Sequence, residues 1–145
     1  MSVSEAYLKP LPKKQPENAT LWEGLARHEF HVPQCDQCGA WNWVPYPACR
    51  SCLSEQLTWT RLSGAGTLFS YTIIHRGLGD FQKDVPYVVA LVEMETPGGN
   101  RDVIVLGNTV GIPHETLQVG MPLQMTFKDI EGEDVTLWQF TGREA

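Results

Sequence analysis

No cysteine of this chain lies outside residues 35–52, and that confinement leaves no spare thiol elsewhere for nucleophilic chemistry. Basic residues are scarce: 11 lysines and arginines face 17 aspartates and glutamates, a formal net charge of -6. A protein whose main task is neutralising phosphates needs a dense basic face, so nucleic acid is not the expected partner. No apolar run approaches the roughly 20 residues of a membrane-spanning helix. The start of the chain, Met1 to Pro10, has neither the basic residues nor the apolar stretch of a secretory signal, so the expected location is the cytoplasm, where thiols stay reduced. Gly-x-Ser-x-Gly, Rossmann and phosphate-loop patterns are all missing, which removes the commonest signatures of serine hydrolysis and of dinucleotide or nucleotide binding.

What is present begins with the cysteines. Cys35-Asp-Gln-Cys38 and Cys49-Arg-Ser-Cys52 are two Cys-x-x-Cys pairs with ten residues between them. Each pair can fold as a knuckle that turns two sulfurs to one side, and Gly39 supplies the left-handed residue after the first. Four thiolates complete a tetrahedron for Zn²⁺ and leave no open position for an activated water. One structural zinc ion is therefore expected on Cys35, Cys38, Cys49 and Cys52. Two disulfides and a rubredoxin-like iron are the weaker readings.

Around this site the chain divides. Residues 1–19 carry Pro10, Pro12 and Pro16 with little periodicity, so they read as an extended arm whose sizeable anchors are Tyr7, Leu8 and Leu11. Thr20-Leu-Trp-Glu23 has the form of a capping box, and Leu21, Trp22, Leu25 and Ala26 recur at helical spacing. A short helix is predicted from about Leu21 to Glu29 within an N-terminal helical unit, 20–33. His28 and His31 read as surface or packing residues, since four cysteines already satisfy a zinc. Residues 34–56 form the ribbon, whose Trp41, Trp43 and Tyr46 are expected to cover the metal site and its junction with the next unit. From 57 to 142 the pattern is strands: Leu57–Arg61, Thr67–His75, Tyr87–Glu95, Asp102–Val110, Leu123–Phe127 and Val135–Phe140, separated by glycine turns. The predicted fold is mainly β: an N-terminal helix, a rubredoxin-like zinc ribbon and a C-terminal OB-fold β-barrel.

The order of parts, together with Ser63-Gly-Ala-Gly-Thr67, His75-Arg76, Val85-Pro-Tyr-Val-Val-Ala-Leu-Val-Glu93 and Val119-Gly-Met-Pro-Leu123, resembles the zinc-ribbon/OB-fold family of acyl-CoA-associated proteins over about residues 20–140. The resemblance implies a non-catalytic companion subunit of a thiolase-superfamily enzyme, such as a thiolase, acyltransferase or retro-aldolase. It would be part of a hetero-oligomer, with a coenzyme A thioester as ligand. Some relatives accompany enoyl-CoA hydratases. The absence of a free thiol agrees, because thiolase chemistry needs a cysteine nucleophile. Two other classes remain in view: a single-strand nucleic-acid binder, which OB barrels often are, and an independent acyl-CoA hydrolase or hydratase.

Coenzyme A phosphates take arginine or lysine, and its adenine takes an apolar or aromatic face. His75 and Arg76 end a long strand, and the following loop, Gly77 to Asp84, is rich enough in glycine to fold over a ligand with Phe81 as its apolar contact. Arg50, inside the second knuckle, is a further phosphate candidate. Asp80, Asp84, Glu93, Glu95 and His114 read as solvated surface groups and not as an acid/base set.

Overall fold

The structure, a computed structural model, describes residues 7–144, so the first six residues of the expected arm lie outside it. Residues 7–15 form no regular element and lie against the barrel. Lys9 Nζ sits 2.6 Å from the Asp84 carboxylate, and Lys14 Nζ 3.0 Å from that of Asp134.

A 3₁₀ turn, Pro16–Asn18, leads into helix α1, Ala19–Ala26. The expected capping box at Thr20 does not form. Asn18 closes one a turn earlier with Gln15, whose backbone N–H donates to Asn18 Oδ1 at 2.7 Å, so the helix starts two residues before the predicted point. It also ends three residues early. His28 adopts φ 60°, its N–H donates to Leu25 O, and the Glu29 N–H reaches back to Gly24 O, which is the Schellman closure with histidine in the place glycine usually takes. That strained residue is held from outside: the His28 ring stacks on Phe127 at 5.1 Å and its Nε2 lies 3.1 Å from the Asp129 carboxylate. Asp129 in turn accepts from the Thr136 hydroxyl at 2.6 Å, and that bond, followed by the one to His28, holds its carboxyl below the usual range.

Strand β1, Phe30–Cys35, follows directly and pairs antiparallel with β2, Leu57–Leu62. Two sequence readings change here. The stretch containing Pro33 is a strand, and Leu57–Arg61 completes the ribbon's sheet instead of opening the barrel. Pro33 is tolerated because the strand's outer edge meets only Gln34–Trp41 and the Asn42 N–H, which donates to Pro33 O at 2.8 Å.

The barrel is built from β3, Ala65–Ile74; β4, Tyr87–Met94; β5, Ile104–Gly107; β6, Pro122–Asp129; and β7, Thr136–Gly142. They form one sheet in the order β5-β4-β3-β6-β7, all neighbours antiparallel. Beyond β5 the chain runs parallel to β7: Phe140 N–H donates to Asn108 O and Val110 N–H to Phe140 O, with Thr109 bridged to Phe140. Those bonds join the two ends of the sheet, and the resulting ring with one parallel contact is the OB topology. The predicted strand Asp102–Val110 is cut to four residues because its second half spends its bonds on this closure. Inside, β4 alternates strictly, with Val88, Ala90, Val92 and Met94 buried between exposed-side partners, as a half-covered strand should. They meet Leu68, Val103, Val105, Leu123, Met125 and Phe140.

The core does not stop at the barrel wall. Leu21, Trp22 and Leu25 of α1, Phe30 and Val32 of β1, Trp41 and Leu62 belong to the same buried cluster. Its centre is aromatic: Phe30 lies edge-on to Trp43 at 5.3 Å, Trp43 edge-on to Trp138 of β7 at 5.8 Å, and Trp22 stacks on Trp138 at 6.2 Å. Helix, ribbon and barrel therefore share one desolvated junction. No helix among the described residues is long and apolar enough to cross a membrane.

Candidate metal centre and the surfaces around it

The two knuckles repeat one local design. In the first, Gly39 N–H donates to Cys35 O at 3.0 Å, and in the second Leu53 N–H donates to Cys49 O at 2.9 Å. The residue after each second cysteine is left-handed, Gly39 at φ 78° and Leu53 at φ 66°. Backbone N–H groups point at the first sulfur of each pair, Cys38 N at 3.5 Å from Cys35 Sγ and Ser51 N at 3.4 Å from Cys49 Sγ. The Leu53 side chain is 77% exposed, so nothing compensates for its unfavourable φ. Leu53→Gly is accordingly expected to stabilise the chain by about 1 kcal/mol, read as a rise in melting temperature at unchanged metal content.

The four Sγ atoms lie within 4.8 Å of one another. Cys35 and Cys52 are 3.5 Å apart and Cys38 and Cys49 3.6 Å, far beyond the roughly 2.05 Å of a disulfide. A zinc ion at about 2.3 Å from each of four thiolates sets an edge of about 3.8 Å. The donor set and its spacing fit that ion. Cys35 and Cys49 are buried while Cys38 and Cys52 face outward. The Cys49 thiol is pulled down to about 6, first by the backbone N–H of Cys52 and then by the Asn42 side chain, and Cys35 is lowered chiefly by the Cys38 N–H. Cys38 and Cys52 are pushed the other way, Cys52 to about 12, where the neighbouring thiols raise them.

Asn42 is the residue the sequence did not single out. It is 2% exposed, its Oδ1 accepts from Arg50 N–H at 2.9 Å in the second knuckle, and its Nδ2 donates to Ala40 O at 3.3 Å beside the first. One buried amide braces both halves of the site. A polar residue between Trp41 and Trp43 in an apolar run is the only hint in the sequence. Asn42→Leu strands the Arg50 N–H, while the Ala40 carbonyl keeps the Cys35 N–H at 2.8 Å, and should cost about 1–3 kcal/mol in a denaturant melt while leaving the four ligands in place.

The remaining candidates are spread out. Arg50 donates to Val44 O at 3.1 Å and lies over the Tyr46 ring at 5.9 Å, on the outer face of the ribbon. Tyr46 is 60% exposed, so of the three ribbon aromatics Trp41 and Trp43 pack and Tyr46 does not. His75 and Arg76 are exposed just past β3. Phe81 sits in the 3₁₀ turn Gly79–Asp84, against Tyr87 at 6.2 Å and under Lys9. It borders a groove of about 560 Å³ whose walls include Leu11, Trp22, Leu106 and Trp138, and to which Arg50, His75 and Arg76 do not contribute. His31 is partly buried and its pKa lowered, desolvation being the main cause. It lies against Gly24, where a Cβ would come within 2.6 Å of its Nδ1, which explains a glycine inside α1.

The fold and the thiolate cluster define a zinc-ribbon/OB-fold protein with a closed metal site. Comparison with known proteins places it further. Residues 22–58 match the ChsH2 rubredoxin-like zinc ribbon domain and residues 59–128 the ChsH2 C-terminal OB-fold domain. A DUF35 domain-containing scaffold protein of Methanothermobacter thermautotrophicus is 31% identical over 122 residues, covering 81% of this chain and 88% of the relative. The chain belongs to this ChsH2/DUF35 family. A Mycobacterium tuberculosis protein described as 3-oxo-4,17-pregnadiene-20-carboxyl-CoA hydratase alpha subunit is 28% identical over 88% of this chain, and the chain spans 39% of its length. A solved structure described as Ltp2-ChsH2(DUF35) aldolase superposes with a TM-score of 0.78 at 26% identity, covering 91% of this chain and 98% of that one.

Proposed function

We propose that the chain is a non-catalytic companion subunit of a thiolase-superfamily enzyme acting on an acyl-CoA thioester, with one zinc ion on Cys35, Cys38, Cys49 and Cys52 holding its scaffold. The observation that carries this reading is the near end-to-end likeness to a chain solved as a component of an Ltp2-ChsH2 aldolase. The residue chemistry supports it. The four cysteines converge on a cluster suited to a metal with no open position, so the chain brings no nucleophilic thiol to carbon–carbon bond chemistry. When bound, zinc supplies cross-linking and no Lewis-acid step. The chain's own residues do the rest: Asn42 fixes the knuckles, and the Trp22, Phe30, Trp43 and Trp138 junction fixes ribbon against barrel. A surface so held can line a partner's substrate path. His75, Arg76 and Arg50 are the proposed contacts for coenzyme A phosphates and Phe81 for an apolar portion.

A hydratase partner is the second reading, favoured by the name of the mycobacterial relative. Either way the chain acts in a hetero-oligomer in the cytoplasm. Affinity purification of the tagged chain from its own host tests this. A stoichiometric complex with a thiolase-fold protein is the expected result. Recovery of the chain alone, at every salt concentration tried, contradicts the companion role, and a hydratase-fold partner decides for the second reading.

A further inference from the structure

Strand β3 is covered on one edge by β4 from Gly66 to Ile74. On its other edge β6 reaches only Ala65–Thr67. Leu68 spends its bonds on the loop, its N–H donating to Met121 O at 3.0 Å and its O accepting from Gly120 N–H at 2.8 Å. A register shift at Phe69 then turns the strand away, and from Phe69 to Ile74 no backbone partner lies on that edge among the described residues. In an antiparallel ladder alternate residues point both N–H and C=O outward, so this stretch offers a half-ladder to solvent.

The side chains make the exposure stranger. Phe69, Ser70, Tyr71 and Thr72 are four consecutive exposed strand residues, whereas a barrel strand buries every second one. Tyr71 pairs with buried Ala90 and so belongs to the inward face, yet it is 36% exposed, its hydroxyl donating to Leu117 O at the barrel mouth. Phe69 is 48% exposed, and Val119, in the turn that bonds Leu68, is 68% exposed. Natural edges are blunted by lysine, proline or an inward charge. Phe-Ser-Tyr-Thr-Ile-Ile carries none, and an uncharged run of β-formers without proline or glycine is what sticks to other strands when left open.

We propose that Phe69–Ile74 is a β-addition edge that receives an extended, uncharged segment of the partner enzyme, rich in β-branched or aromatic residues, whose inward side chain closes the barrel mouth over Tyr71 and Ile73. The inference rests on the companion reading and names its docking surface. A second copy of this chain is the lesser occupant, because six residues a side fall far short of the roughly 20–30 that a free-standing interface uses. A segment of a protein already held by other contacts meets no such requirement. The edge stops before His75 and Arg76, which leaves them for a phosphate.

Amide hydrogen exchange on the intact complex and on the free chain tests this. Alternate amides within 69–74 should slow by about tenfold or more on assembly. Thr72→Lys, which places a charge on the edge, should cut recovered partner by about tenfold while the free chain melts within about 2 °C of the parent. A complex that forms with exchange in 69–74 unchanged overturns the edge and leaves the companion reading standing. Failure to form any complex overturns both. Protection that appears in the isolated chain as its concentration rises assigns the edge to a second copy and overturns the proposal.

Discussion

Cys49→Ser is expected to release the metal and to lower the stability of the whole chain, not of the ribbon alone. Structural zinc in small modules is worth on the order of 10 kcal/mol, comparable to the roughly 5–15 kcal/mol that an entire domain has to spare. Cys49 is fully buried, its Sγ receives the Ser51 N–H, and its knuckle is tied through Asn42 to the other, so no solvent group can replace the lost thiolate. Metal would tie the ribbon's two knuckles to each other, and the ribbon's apolar residues Phe30, Val32, Trp41 and Leu62 lie in the common core. Losing the ribbon exposes the barrel's junction face. A melt followed by circular dichroism, with metal measured on the same samples, should show a transition lower by tens of degrees or split in two. Chelation should do the same to the parent chain. A metal-free sample with an unchanged melt contradicts a structural role.

Phe30→Ala should cost about 3–5 kcal/mol, the range for emptying a large buried ring. Phe30 is 1% exposed and touches the Trp43 and Trp138 rings, so the cavity opens where helix, ribbon and barrel meet. At this size the loss is a fall in melting temperature of roughly 10 °C or more. Tyr46→Ala, an aromatic truncation on the ribbon's outer face, should stay within about 0.5 kcal/mol. Equal effects of the two would mean that the aromatic junction does not hold the parts together.

The contrast shows what the sequence could reveal. Cysteine spacing is a short-range pattern, and the convergence of the four sulfurs was legible in it. Runs of β-branched and aromatic residues between glycine turns made the strands legible for the same reason, although in β4 the continuous apolar run did not say that Val88, Ala90, Val92 and Met94 would be the buried set. Long-range pairing was not legible. Leu57–Leu62 looks like any half-buried strand, and only contact with Phe30–Cys35, itself disguised by Pro33, assigns it to the ribbon. The early end of α1 depends on His28 reaching Phe127 and Asp129 a hundred residues away, which no local propensity encodes. Asn42 escaped notice because its partners are backbone atoms of Ala40 and Arg50, and backbone atoms have no sequence signature. The ligand candidates Arg50, His75, Arg76 and Phe81 were chosen by chemical type. The structure puts Phe81 beside a groove and Arg50, His75 and Arg76 elsewhere on the surface, because residue type alone does not say which side chains the fold brings together.

The companion role is tested most directly by titrating the zinc-loaded chain into its purified partner and following acyl-CoA turnover. Activity should rise and saturate at a fixed ratio of the two proteins, with no turnover by this chain alone. A partner equally active without it, or turnover by the isolated chain, contradicts the account.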